Sequence, residues 1–294
     1  MKKIFLLLSF SLTLAVSAFA DSKYDLNLKT GDSFLMSSSV SQKITQNMMG
    51  MEMVIDLDVD VIMDLIVTEL SKDEVLFTQS YKSLLVSMKS PAQGLEVNMD
   101  SDGDSNQFND ALKSIIGKKI MVRVDLEGNV LSVEGLEEIL SGLETVQASG
   151  ADVLQFFDKE GLEKNYQMLF PIAYGKDYKT GSKWNIESDT DAEISVKLNN
   201  EYTATSVSKK VFEFSTDSST SLSGDIEQQG MEMSINMEGT FKGSGELNVK
   251  TGLIKSYTQQ GQMAGNTVIE ANDQIPMDMD IPMTIEMVSI ISLK

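Results

Sequence analysis

The feature that most constrains this fold is a long stretch in which every second residue is apolar. The apolar positions are Met51, Met53, Ile55, Leu57, Val59, Val61, Met63, Leu65 and Val67. The positions between them include Glu52, Asp56, Asp58, Asp60 and Asp64. Successive side chains of a strand point to opposite faces, so this pattern predicts half-buried antiparallel strands with one apolar and one wet face.

The same alternation returns twice in the last third of the chain. One run has Met231, Met233, Ile235, Met237, Phe241, Leu247 and Val249 on one face, with glycines 239, 243 and 245 on the same parity. The other has Ile275, Met277, Met279, Ile281, Met283, Ile285 and Met287 on one face. At about 3.3 Å per residue such runs reach roughly 56 Å, so we expect the strands to bend or bulge, with the glycines allowing close approach.

The middle of the chain has helical spacing instead. Apolar residues recur at Leu136, Ile139, Leu140, Leu143 and Val146, and a shorter helix is predicted from Asn109 to Ile116. We therefore predict an α+β fold, in which a large curved antiparallel sheet, half-barrel-like, has a central helical segment packed on it. The predicted parts are an N-terminal β-rich half (21–133), a helical segment (134–174) and a C-terminal β-rich half (175–294), with one or two domains left open.

A short repeat hints that the two β-rich halves are related. Lys29-Thr30-Gly31 recurs as Lys179-Thr180-Gly181, and Gly50-Met51-Glu52-Met53 recurs as Gly230-Met231-Glu232-Met233. The two pairs have different offsets, so a simple tandem repeat is not expected.

The N-terminus resembles a secretory signal peptide over residues 1–20. Lys2 and Lys3 precede an apolar run from Ile4 to Val16, and Ala18-Phe19-Ala20 supplies the small residues of a cleavage site. We expect a soluble periplasmic or extracellular protein. No cysteine follows the cleavage site, so a lipoprotein is not expected, and no later segment is apolar enough for a membrane-spanning helix.

The amino-acid composition excludes several classes of function. The chain has no His and no Cys, which leaves no imidazole base, no thiol nucleophile and no ordinary zinc site. Its net charge of -20 disfavours nucleic acid. We expect a protein that is not an enzyme, does not bind nucleic acid and needs no cofactor.

The predicted helices are small for the apolar sheet face that they would have to cover. The uncovered part is predicted to line a cavity for a hydrophobic ligand, either a lipid or the acyl chain of a lipoprotein. The predicted lining residues are Met51, Met53, Ile55, Leu57, Met231, Met233, Ile235, Met237, Met279 and Met283. The alternative is a structural or protein-interaction envelope protein with a filled core and no ligand.

Three further patterns suggest other chemistry. Methionine thioethers are soft ligands that suit Cu(I), although Met also fills apolar cores. Asp100, Asp102 and Asp104 resemble the start of a calcium loop and are a weak alternative metal site, but Ser105 and Ala111 stand where that loop needs Gly and Glu. Asp56, Asp58 and Asp60 have the spacing of paired catalytic carboxylates, which any solvated strand face also provides.

One resemblance covers most of the predicted mature chain. Gly117-Lys118-Lys119, Val124-Asp125, Gly128-Asn129-Val130, Gly135-Leu136 and Gly181-Ser182-Lys183-Trp184 are similar to motifs of secreted proteins of unknown function from Bacteroidota-type bacteria. The resemblance implies a strand, a tight turn and a second strand leading into helices. That family has no established activity, so no functional residues follow from it.

Overall fold

The computed structural model describes residues 22–48, 50–147, 162, 166–190, 194–228, 231–271 and 277–294. The predicted signal peptide, residues 1–20, lies outside the described residues. The strands are β1 (Ser22–Tyr24), β2 (Ser33–Met48), β3 (Met51–Leu70), β4 (Glu74–Ser90), β5 (Leu95–Asp100), β6 (Lys119–Asp125), β7 (Val130–Glu134), β8 (Lys176–Tyr178), β9 (Lys183–Thr190), β10 (Ile194–Val207), β11 (Phe212–Gln228), β12 (Met231–Leu247), β13 (Ile254–Ile269) and β14 (Met279–Leu293). The helices are α1 (Gln107–Ile115) and α2 (Leu136–Gln147), with a short 3-10 helix at Pro91–Gln93.

Twelve of these strands form one antiparallel sheet. Its order is β7-β6-β4-β3-β2-β14-β13-β12-β11-β10-β9, and β5 pairs with β4 beside β6. The last strand, β14, pairs with β2 from Met283–Gln46 to Leu293–Met36. The N-terminal and C-terminal β-rich parts are therefore joined in a single sheet, while β1 and β8 form a separate two-stranded sheet.

The large antiparallel sheet was predicted correctly, but the α+β class with a central helical segment packed on the sheet is wrong. The described part of the chain is almost entirely strand, and its helices are short. Helix α2 does begin where the helical spacing starts, at Leu136. At about 1.5 Å per residue its 12 residues span about 18 Å, whereas the 20 residues of β3 span about 66 Å. Helices of this size cannot form a layer over such strands.

All the long strands turn at two common ends, which we call the base and the far end. The base contains the turns between β3 and β4 and between β10 and β11; the far end is where β2 and β13 end and where β3 and β14 begin. The helices and the residue 166–182 segment cover the apolar face at the base. Phe77 of β4, for example, packs there against Tyr166 and Phe170, with ring centroids 5.5 and 6.4 Å apart.

An aromatic cluster completes the core at the base. Trp184 stacks on Tyr202 at 5.2 Å and donates its indole N–H to the Pro171 carbonyl. Phe212, with no exposed surface, meets Tyr24 edge to face at 4.8 Å. These rings join β1 and β8 to the main sheet by close packing.

The long strands were expected to bend or bulge, and β3 contains bulges. The β3–β4 ladder shifts register between Ile62 and Met63 and again between Val67 and Glu69, as bulges do. The glycines on the apolar parity give space to neighbouring side chains. A Cβ on Gly239 would lie 2.5 Å from the Met263 side chain, and one on Gly245 would lie 2.5 Å from the Phe214 ring.

Replacing Gly245 with alanine should therefore destabilise the protein. The added methyl group would collide with the buried Phe214 ring, and overpacking of this kind costs about 1–3 kcal/mol. Chemical denaturation measures the change. The control is Ser244→Ala, at the exposed neighbouring position on the other face, which should stay within about 0.5 kcal/mol of the parent. Equal stability of the two variants would contradict the close approach at Gly245.

One of the two repeated motifs marks equivalent turns. In both Lys-Thr-Gly copies the glycine has positive φ, 94° at Gly31 and 89° at Gly181. The amide of each glycine bonds to the carbonyl of a neighbouring strand, Val67 of β3 or Ala204 of β10. Each copy thus leads a short strand, β1 or β8, into the first strand of a hairpin.

Candidate functional site

The apolar face of the sheet continues past the helices to the far end, where its side chains are half-exposed. We call this surface the far apolar face. It includes Ile44 and Met48 of β2, Met53, Ile55 and Leu57 of β3, Met233 and Ile235 of β12, Met263 of β13, and Met279, Met283, Ile285 and Met287 of β14. Three neighbouring side chains of the same face, Met237, Ile269 and Ile281, are nevertheless only 1%, 9% and 6% exposed, so within the described part of the chain this surface is partly open.

Strand β3 shows the contrast between base and far end along one line of side chains. Val67, Leu65 and Met63 are between 1% and 5% exposed beneath the base core. Toward the far end, Leu57, Ile55 and Met53 are only half-buried, and Met51 is 66% exposed. The alternation is the same throughout, so the far half keeps an apolar face without burying it, which costs free energy unless something covers it.

The register aligns these side chains into rows across the strands. Met283 of β14 lies opposite Gln46 of β2, which lies opposite Met53 of β3. The adjacent row joins Ile285, Ile44 and Ile55 in the same way. Directly opposed side chains in antiparallel strands are about 4.5–5.5 Å apart at Cβ, so the isoleucine row is a continuous apolar strip, whereas the methionine row is interrupted by the Gln46 amide.

Three glutamine amides on this surface donate to methionine sulfurs. Gln46 Nε2 lies 3.4 Å from Met283 Sδ and Gln42 Nε2 lies 3.7 Å from Met287 Sδ. Gln93, in the 3-10 helix, places its Nε2 3.4 Å from Met53 Sδ. A thioether is a weak acceptor, so these amides are poorly satisfied donors on an otherwise apolar surface.

The predicted lining residues whose side chains are described share one face of the sheet, but not one environment. Most of them belong to the far apolar face. Met237 instead is 1% exposed and lies opposite Gly265 of β13. The side chain of Met231 lies outside the described residues.

Sequence reasoning missed the contribution of β2. Ile44 and Met48 alternate with Gln42 and Gln46 on the same parity, so this strand shows no unbroken apolar run. Its place beside β14 depends on pairing between opposite ends of the chain, which periodicity does not reveal.

Carboxylates gather at the far end of β12 and β13. The Glu232 carboxylate, through a hydrogen bond and its charge, raises the pKa of the exposed Glu270 carboxyl, and the charges of Asp278 and Asp225 add to this effect. A carboxyl whose pKa is raised by folding stabilises the fold below its ordinary pKa. That stability is lost as the pH rises through the raised value.

The variant Glu270→Gln should therefore be more stable than the parent at pH 7, because it removes the repulsion among these carboxylates. Near pH 4 the advantage should disappear, since the parent then carries a protonated Glu270. Thermal unfolding at both pH values measures the effect. The control is Glu52→Gln on β3, separated from β13 by β14 and β2, for which the gain should be smaller; an equal gain would point to net charge alone.

Hydrogen bonds from the protein itself hold the loop that contains Asp100, Asp102 and Asp104. Asp100 Oδ1 accepts the Asp102 amide at 2.8 Å, and Asp102 Oδ2 accepts the Ser83 hydroxyl. The Lys113 ammonium donates to the Gly103 carbonyl at 2.6 Å, so its positive charge lies against this loop. Within the described ranges, no group of three or more carboxylates could hold a metal ion.

The polar face carries open grooves. One, of about 800 Å³, is lined by Asp56 and Asp58 together with Lys43, Lys89 and Lys242. Asp58 accepts the Ser41 hydroxyl, and Asp56 pairs across the strands with Lys43. These carboxylates therefore lie in a solvated surface of mixed charge.

A neighbouring groove, of about 840 Å³, is lined mainly by hydroxyl and amide side chains of β10 to β13. Its lining includes Asn199, Ser219, Thr240 and Gln262. Neither groove contains an exposed aromatic ring among its lining residues, so neither offers a stacking platform for a sugar or a base.

None of the helices that the structure describes is long and apolar enough to span a membrane.

A family model described as a family of unknown function (DUF6263) matches residues 72–254. No curated protein matches the chain.

Several solved structures resemble the sheet. Lipovitellin, from a study of its lipid–protein interactions, is 9% identical to this chain with a TM-score of 0.47. The match covers 90% of this chain but only 25% of lipovitellin, so the chain spans about a quarter of that protein. An outer membrane channel from Pseudomonas putida F1 is 9% identical with a TM-score of 0.23, covering 92% of this chain and 97% of the channel. Salmonella typhi OmpF is 8% identical with a TM-score of 0.25, covering 92% and 100%. Likenesses this distant carry no functional argument.

Proposed function

The chain belongs to the DUF6263 family of unknown function, and from its far apolar face we propose that it is a non-catalytic protein that binds a lipid acyl chain. The observation that carries this proposal is the contrast along β3 between a buried base and a half-exposed far end of the same apolar parity. With the predicted signal peptide, the proposal places the protein in the periplasm or outside the cell.

The chemistry of the surface favours an acyl chain. Apart from the glutamine amides in its rows, its side chains are aliphatic or thioether, and none of the described ones is aromatic or charged. Protein interfaces usually depend on aromatic or arginine anchors, which are missing here. Methionine is flexible and polarizable, so a row of methionines can repack around a chain that has no fixed shape.

The size of the surface is sufficient for useful affinity. Each methylene buried contributes about 0.8 kcal/mol, so about ten methylenes laid along the strips would contribute about 8 kcal/mol before the cost of ordering the chain. The lipid source, either a free lipid or the acyl group of a lipoprotein, presents the same hydrocarbon to this surface.

Native mass spectrometry of residues 21–294, purified without detergent, tests the proposal. We expect a stoichiometric adduct that organic extraction removes and that returns when a phospholipid or fatty acid is offered. A bare protein mass that no offered lipid changes would contradict acyl-chain binding. It would instead favour a structural or protein-interaction role.

A further inference from the structure

The sulfurs of Met53, Met283 and Met287 stand out because each is both half-exposed and hydrogen-bonded to a glutamine amide. Methionine oxidation follows exposure. The same chain provides buried methionines for comparison: Met36, Met63 and Met99 are 1%, 5% and 0% exposed. An oxidant in solution therefore reaches the first set and not the second.

We propose that these three methionines form an oxidation-sensitive site that switches the far apolar face from apolar to polar, an inference that rests on the proposed acyl-chain binding. The oxidant is hydrogen peroxide. The sulfur lone pair attacks one peroxide oxygen, the O–O bond breaks and an S–O bond forms. The proton of the transferred hydroxyl passes to the leaving hydroxide, so the methionine is oxidised by two electrons and the peroxide is reduced to water.

The glutamine amides can donate hydrogen bonds to the methionine sulfoxides that oxidation would form. A sulfoxide oxygen is a strong acceptor, whereas a thioether sulfur is a weak one. The amides of Gln42, Gln46 and Gln93 already point at the sulfurs from 3.4–3.7 Å, so each can donate to an oxygen added there. Oxidation thus replaces three poor hydrogen bonds by three good ones without unfolding the sheet.

The consequence for binding follows from the position of these residues. Met283 and Met53 lie in one cross-strand row, with Met287 in the second row toward the base. Three sulfoxides here would place polar groups in the middle of the surface that an acyl chain must cover, and burying polar groups against hydrocarbon is unfavourable. Sulfoxide is reversible by methionine sulfoxide reductases, so the surface can be restored.

The test combines peptide mapping with a binding titration of a fluorescent fatty acid, before and after graded hydrogen peroxide. We expect sulfoxide at Met53, Met283 and Met287 well before Met36, Met63 and Met99, a loss of affinity of at least tenfold, and recovery after reductase treatment. Equal oxidation of the buried set, or unchanged affinity of the oxidised protein, would overturn the switch. If the untreated protein binds no fatty acid, the proposed function itself fails.

Two variants sharpen the test. Combined Met53→Leu, Met283→Leu and Met287→Leu conserves volume and apolarity, so the protein should fold. The affinity of this variant before peroxide is its own reference, and peroxide should lower that affinity by a smaller factor than it lowers the affinity of the parent. The control carries Met121→Leu and Met277→Leu, which remove exposed methionines outside this set, and should remain as sensitive as the parent. A triple variant that loses affinity like the parent would refute the assignment to these three residues.

Discussion

Replacing Phe77 by alanine is expected to lower the free energy of unfolding by about 3–5 kcal/mol, as removal of a fully buried aromatic ring does. Phe77 has no exposed surface and packs between Tyr166 and Phe170, which belong to the segment that covers the base. Its loss removes both its own burial and the anchoring of that segment. Denaturant unfolding followed by circular dichroism measures the change.

The control for this prediction is Leu131→Ala on β7, an apolar residue that is 47% exposed. It should change stability by no more than about 0.5 kcal/mol. If Phe77→Ala lost less than about 1 kcal/mol, the base would not be the close-packed core that the structure shows.

Replacing Ile285 by aspartate is expected to reduce the affinity for a fatty acid at least tenfold. Ile285 is in the centre of an apolar row with Ile44 and Ile55, so a carboxylate there would have to be desolvated beneath the acyl chain. Because the residue is half-exposed in the free protein, the fold should tolerate the change. Fluorescent fatty-acid titration gives the affinity, and thermal unfolding checks the fold.

Val288→Asp makes the matched change on the other face of β14. Val288 is also β-branched, lies three residues further along the strand and is 39% exposed among polar neighbours. This variant adds the same charge to an already acidic protein, yet its affinity should stay within about threefold of the parent. Equal losses in both variants would show that net charge, and not the far apolar face, controls binding.

Periodicity predicted the strands well because it reports which side chains share a face. The alternation from Met51 to Val67 lies entirely within β3, and the turn at Gly128 falls between β6 and β7. What periodicity does not report is whether another layer covers that face. The residues of β3 at the base and at the far end alternate identically, and only the position of the helices distinguishes buried Leu65 from exposed Met51.

The α+β fold class was wrongly predicted because periodicity also does not report how many strands join one sheet. Helical spacing correctly marked α2, but the ratio of helix to sheet area depends on how many strands join one sheet. That number depends on the pairing of β14 with β2, whose paired residues Met283 and Gln46 are 237 positions apart in sequence. The hydrogen bonds from glutamine amides to methionine sulfurs across that pairing could not be predicted for the same reason.

Photo-cross-linking with a diazirine-bearing fatty acid tests the central claim most directly, because it identifies the residues that touch the chain. We predict cross-links on the far apolar face, at Met53, Ile55, Met283 and Ile285, that excess unlabelled fatty acid suppresses. Cross-links confined to the polar face, at Lys43 or Lys242 for example, or labelling that unlabelled fatty acid does not reduce, would contradict acyl-chain binding by this surface.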